Sequence, residues 1–132
     1  MFRTRSSSLV ADVAFDTDFF IAGGGPAGLA TALAARQFGF RAMIADAAHG
    51  PIDKCCGEGL LPDGAVALRE LGVAFPSITP RFHGIDFIDG AIRARGCFSS
   101  GPAFGLRRTV LHTLLHEAAV RAGVDCLSGA FH

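Results

Sequence analysis

The stretch Gly23-Gly24-Gly25-Pro26-Ala27-Gly28 constrains this chain more than any other. It is a G-x-G-x-x-G turn set between two very different runs. Before it comes DFFIA (18–22), a short apolar segment rich in Phe and Ile. Such a run, stopped by glycines, reads as a fully buried strand of a parallel sheet. After it comes PAGLATALAARQF (26–38), rich in Ala and Leu and therefore a strong helix former. Pro26 suits the first helical turn, where a missing amide hydrogen costs nothing. Gly39 is a natural stop. RAMIAD (41–46) then reads as a second buried strand that ends on an acid, Asp46. Strand, tight turn, helix and strand in that order make a βαβ unit, whose crossover is right-handed almost always.

Each glycine of the turn has a mechanical task. Gly23 allows the sharp exit from the strand. Gly25 lets the backbone approach a pyrophosphate with no Cβ in the way. Gly28 lets the helix pack close to the strand. The amides of the Gly23–Gly28 turn then face the phosphates, with roughly half a positive charge from the helix dipole behind them. Asp46 follows Gly28 at close to the spacing, about 20 residues, at which a ribose-binding acid sits. A carboxylate there accepts the ribose hydroxyls and repels a 2′-phosphate. The turn alone does not separate FAD from NAD. A structural glycine turn with Asp46 as a solvated loop acid is the plainer alternative.

Residues 47–62 read as a loop of unusual length, which implies a task. Asp63 is a candidate cap for a helix over 64–71, with Leu68 and Leu71 on one face and Gly72 at its end. The runs 84–88 and 91–95 flank Asp89-Gly90, a strong hairpin signal. In TVLHTLLHEAAVRA (109–122), positions 110, 111, 114, 115, 118, 119 and 122 are apolar, a helical stripe. Thr109 is its candidate cap and Gly123 its stop. Residues 124–128 read as a third parallel strand. The expected fold is α/β: a Rossmann-like βαβ with a parallel sheet and a small β-hairpin or meander insertion. It is incomplete, because a doubly wound sheet takes five or six strands. The expected organisation is a disordered leader over 1–17, then the N-terminal part of an FAD/NAD(P)-binding domain over 18–132.

Composition narrows the partners. Twelve Lys+Arg balance twelve Asp+Glu, so the basic footprint of a nucleic-acid binder is absent. No apolar run is long enough to span a bilayer. Mean hydropathy of +0.40 argues against disorder and suggests apolar surface that meets a cofactor or further chain. The four cysteines, at 55, 56, 97 and 126, lack zinc spacing, and the start lacks the apolar core of a signal peptide. The expected compartment is the reducing cytoplasm. His112 and His116 are four apart on the last helix, a spacing able to hold a metal. The glutamate that a zinc protease places between them is missing, so no metal is expected. His49, His83 and His132 read as loop or terminal residues.

Residues 18–46 resemble the opening of the FAD-dependent superfamily of aromatic hydroxylases, geranylgeranyl reductases and flavin halogenases. Gly23, Gly25, Gly28, Leu29, Ala32 and Gly39 fall in its extended pattern. PIDKCCGEGLLPDGAVALRELGV (51–73) is similar to the reductase-like branch, where Lys-x-Cys-Gly-Glu-Gly follows the second strand. GLRRTVLHTLLHEAAVRAGV (105–124) resembles the superfamily's Arg-x-x-Leu-x-x-x-Leu helix through Arg108, Leu111 and Leu115. The resemblance implies FAD, with its pyrophosphate on Gly23–Gly28 and its AMP ribose on Asp46. It implies Arg108 near the flavin phosphate or ribityl chain, and Cys56 and Gly57 near the isoalloxazine. The plainer role for Cys56 is a buried thiol packed as a small hydrophobe. Lys54 and Glu58 are either a surface pair or flavin neighbours. NAD(P)H is the implied co-substrate and an organic small molecule the substrate, in a monooxygenase-like or reductase-like reaction. Two features depart from the pattern. Gly57 stands where hydroxylases place a flavin-holding Arg. The downstream Gly-Asp motif has no counterpart, since Val124-Asp125 comes too early. The missing C-terminal part of the same fold is thus the expected partner. The alternatives are a truncated remnant without catalysis and an NAD-binding dehydrogenase domain.

Overall fold

The structure, a computed structural model, describes residues 16–48, 50–51 and 53–129. Most of the expected leader (1–15), together with His49 and His132, lies outside the described residues. Thr17, placed in that leader, donates from its hydroxyl to the carbonyls of Phe19 and Arg41 at 3.1 Å each.

Three strands form a parallel sheet in the order β1 (Phe19–Ala22), β2 (Ala42–Asp46), β8 (Asp125–Ser128). Ile21 pairs with Ile44, and Ile44 with Cys126. Between β1 and β2 runs α1 (Pro26–Gln37), with Pro26 at its start. α3 (Arg108–Arg121) precedes β8 and packs beside α1. Small residues let the helices approach: Ala32, Ala118 and Ala119 share a core with Leu29, Leu33, Ile44, Leu115 and Val124. Arg36 of α1 ties the pair by donating to the Ala122 carbonyl at 2.8 Å. Leu29 and Leu115 are fully buried, and each such side chain contributes about 1.5–3 kcal/mol through removal from water.

The expected βαβ unit is present, with one correction. β1 is largely exposed instead of fully buried: Phe19 and Phe20 face solvent, while β2 carries the buried positions Ala42, Ile44 and Ala45. The cause is topological. β2 pairs on both sides and β1 on one.

The chain between β2 and α3 adds a second layer of strands and one helix, and its Leu68 and Val73 join the same core as Leu29 and Leu115. β3 (Gly59–Leu60), β7 (Ala103–Gly105) and β4 (Arg81–Phe82) form a small antiparallel sheet. β3 interrupts the expected 47–62 loop. α2 (Pro62–Glu70) leans on this sheet, with Ala65 and Leu68 buried. The rings of Phe75 and Phe104 meet edge to face at 4.6 Å, with the Arg69 guanidinium 5.5 Å from Phe75 and 5.8 Å from Phe104. β5 (Gly84–Asp89) and β6 (Ile92–Cys97) make the hairpin expected around Asp89-Gly90, each strand one residue longer than expected and β6 starting one residue later.

Two expected helix caps are not caps. α2 starts at Pro62, so Asp63 lies inside its first turn and Leu61 holds the cap position. α3 starts at Arg108 after Arg107, so Thr109 is already helical. In both cases backbone geometry opens the helix without a capping side chain. The apolar stripe of α3 points inward at Leu115, Ala118 and Ala119, but Val110 is exposed.

Candidate functional site

Asp46 ends the central strand and faces the glycine turn. The Gly24 amide donates to one carboxylate oxygen at 2.6 Å, and the Ala48 amide donates to the other at 2.8 Å. These bonds hold the carboxyl below the ordinary aspartate value: first the Ala48 amide, then the Gly24 amide. Partial burial opposes them, and the nearby His112 and Lys54 add smaller favourable fields. A carboxylate offers about four lone-pair sites, so one on each oxygen remains for a further donor. Asp46 is therefore an ionised acceptor seated against the turn, not a solvated loop acid.

The turn is shaped by its glycines. Gly23 leaves β1 with φ of +105°, a conformation that side chains disfavour, and its amide donates to the Ala45 carbonyl at 2.7 Å. A Cβ on Gly28 would collide with the Gly23 carbonyl oxygen, so Gly28 permits the close passage of α1 over β1. A Cβ on Gly25 would meet nothing, which leaves that stretch of backbone approachable from outside. The Gly24 N–H is already committed to Asp46. Amides left to meet an anion belong to Gly25, Ala27 and Gly28, because Pro26 has none.

A cleft of about 430 Å³ opens beside this turn, within the size range of small-molecule sites. Gly24, Leu29, Ile44, Asp46 and Ala48 form one side; His112, His116 and Glu117 of α3 and Cys126–Ser128 of β8 form the other. It lies at the carboxyl ends of parallel strands, where open α/β sheets place their ligands. Burial pushes the Cys126 thiol up, with a smaller push from Asp125, which disfavours the thiolate. Among the described residues no group of three or more His, Cys, Asp or Glu is placed to hold a metal, and no helix is long and apolar enough to cross a membrane.

The structure brings together Gly23, Gly24, Gly25, Pro26, Ala27, Gly28 and Asp46. Cys56, Gly57 and Arg108 do not line the cleft. Cys56 is exposed, so it is not the buried hydrophobe considered above, and Gly57 is exposed beside it. The Glu58 carbonyl accepts from the Leu106 amide at 2.8 Å, which ties this loop to the chain two residues before Arg108. Arg108 opens α3 and is half-buried. Sequence reasoning passed over His112, whose Nε2 lies 2.9 Å from the Gly24 carbonyl oxygen. Its signal in the sequence is the His112/His116 pair, whose spacing suggests only a metal site.

Comparison with known proteins places this geometry. No protein-family model matches the chain. The chain is 37% identical over 84 residues to a menaquinone reductase of Mycolicibacterium smegmatis, an alignment covering 64% of this chain and 18% of that protein. It thus spans less than a fifth of that relative's length. A flavoprotein/dehydrogenase from Cytophaga hutchinsonii superposes with a TM-score of 0.73 at 28% identity, over 84% of this chain and 30% of that one. A myxobacterial FAD-dependent chondrochloren halogenase superposes with a TM-score of 0.75 at 22% identity, over 85% of this chain and 28% of that one. The α/β fold, with its parallel sheet β1-β2-β8, matches that of these solved flavoproteins, and the likeness to the Cytophaga flavoprotein extends to sequence.

Proposed function

We propose that residues 18–132 are the N-terminal part of the FAD-binding domain of a flavin-dependent oxidoreductase of the reductase-like branch. The observation that carries this reading is the 2.6 Å bond from the Gly24 amide to the Asp46 carboxylate. It sets a ribose-accepting acid against a phosphate-accepting turn.

In this reading the FAD pyrophosphate lies on the Gly23–Gly28 turn, against the amides of Gly25, Ala27 and Gly28. The positive end of the α1 dipole favours its charge. The unused lone pairs of Asp46 accept the AMP ribose hydroxyls, and its negative charge disfavours a 2′-phosphate there. The adenine end occupies the cleft between β2, β8 and α3. Arg108, Cys56 and Gly57 serve the other end of the cofactor. The tie between Glu58 and Leu106 puts the Cys56–Gly57 loop near the start of α3, and an exposed glycine lets a planar ring approach the backbone. Bound FAD supplies the redox chemistry, and the protein supplies position and electrostatics. The menaquinone reductase relative favours reduction of an organic small molecule, and NAD(P)H is the electron donor of this reading. The cytoplasm suits the exposed free thiols of Cys55, Cys56 and Cys97.

Titration of the chain with FAD, followed by flavin fluorescence, tests the reading. FAD should bind, NAD⁺ should bind far more weakly, and Asp46→Ala should weaken FAD about tenfold, the loss of charge-assisted bonds of about 1.5 kcal/mol. A chain that binds NAD⁺ and ignores FAD is instead an NAD-binding dehydrogenase domain. A second reading, a remnant without catalysis, draws on the exposed apolar side chains Phe87, Ile88 and Ile92. A monomeric chain that melts cooperatively and holds FAD argues against it.

A further inference from the structure

We propose that His112 is the positioning residue that sets the glycine turn for diphosphate, by holding the Gly24 carbonyl from α3. The inference rests on the FAD reading above and adds a residue to it. Gly24 is gripped from two elements at once. Its amide donates to Asp46 of β2 at 2.6 Å, and its carbonyl oxygen lies 2.9 Å from His112 Nε2. A carbonyl only accepts, so Nε2 is the donor and carries the proton.

The consequence follows from peptide geometry. A trans peptide sets its N–H opposite its C=O. Fixing the Gly24 carbonyl on α3 therefore turns the Gly25 N–H to the other side of the chain, away from His112. Gly25 is the residue whose missing Cβ leaves the backbone open to approach, and its amide is the first not committed to Asp46. Glycine-rich backbone rotates easily. Without the His112 bond, the 24–25 peptide is free to flip and present its carbonyl, a repulsive group, to the phosphates. His112 is itself held. Its ring lies parallel to that of His116 at 13° with centroids 6.3 Å apart, and it stands on a helix whose Leu115 and Ala119 are buried.

The test separates phosphate positioning from general stability. The chain, His112→Leu and His112→Gln are titrated with FAD, ADP and adenosine, and each variant's fold is checked by thermal melting. His112→Leu should weaken FAD and ADP about tenfold, the size of one lost positioning hydrogen bond. It should weaken adenosine less than ADP, because His112 also lines the cleft that takes the adenine end, whereas only the phosphate-bearing ligands use the 24–25 peptide. His112→Gln, whose amide nitrogen reaches a similar point, should recover most of the FAD and ADP affinity. Equal weakening of all three ligands, no weakening of any, or no recovery by Gln would each overturn the proposal. If His112→Leu does not fold, His112→Ser, too short to reach the Gly24 carbonyl, takes its place: weaker FAD and ADP binding in Ser with recovery in Gln supports the role, and equal affinities of the Ser and Gln variants overturn it. A wild-type chain that binds adenosine and ADP equally well also overturns it, since the turn then adds nothing. A wild-type chain that binds none of the three overturns the FAD reading itself, and the proposal with it.

Discussion

The glycine turn and the β5–β6 hairpin are organised in opposite ways. At the turn, contacts run between elements far apart in sequence: β2 to the turn through Asp46, and α3 to the turn through His112. In the hairpin, polar contacts stay within the hairpin: Asp86 on β5 pairs with Arg93 and Arg95 on β6. Its apolar side chains face water, with Phe87 at 67% and Ile92 at 72% exposure. The turn is thus over-determined by the core beneath it, while the hairpin is held chiefly by its own ladder. A rigid cradle for charge needs the first arrangement, because fixed amides bind an anion without having to be ordered first.

The sharpest way to break this contrast is Gly28→Ala. The added methyl would collide with the Gly23 carbonyl and press on the Ile21 side chain, so α1 must lift from β1. The expected cost is about 4 kcal/mol, at the upper end for single substitutions, or outright unfolding. Thermal melting measures it. Next comes Leu115→Ala in the shared core of α1 and α3. It should cost about 3 kcal/mol, whereas Phe87→Ala in the hairpin should cost under about 0.5 kcal/mol. If the two alanine variants melted together, the hairpin would be as well supported as the turn, and the comparison would fail.

Legibility in the sequence follows the same division. The turn, α1, β2 and the hairpin were readable because their signals are local: glycines at fixed offsets, an Ala/Leu run, and Asp-Gly between apolar runs. β3, β4 and β7 were not, because two or three residues cannot show alternation. Their pairing, such as Leu60 with Phe104, joins positions too distant for pattern reading. The expected caps Asp63 and Thr109 had suitable side chains, but Pro62 and Arg108 already adopt helical backbone before them. The burial of β1 was overestimated because strand order, which sets it, is a tertiary property. The turn's residues were legible, whereas His112 was not. A histidine four residues from another suggests metal, and only the packing of α3 against the turn reveals a carbonyl within reach.

The smallest expected effects concern acid. Asp46 and Asp86 both have carboxyls held below the ordinary aspartate value, Asp46 chiefly by backbone amides and Asp86 by Arg95 and then Arg93. A lowered folded value means stabilisation that is fully present above the unfolded aspartate range and lost as pH falls through the folded value. Both sites should therefore weaken the protein only in acid, below about pH 4. Salt tells them apart. The Asp86 pairs are exposed ions and are screened, so at 0.5 M salt, roughly a 4 Å screening length, Asp86→Asn should leave the acid melting curve unchanged. The Asp46 bonds are short contacts to fixed amides in a half-buried site, so Asp46→Asn should flatten the acid limb at either salt concentration. Acid melting curves of the two variants at low and high salt decide it, because an Asp46 effect that vanished with salt would make the site another surface pairing and not a preformed acceptor for ribose.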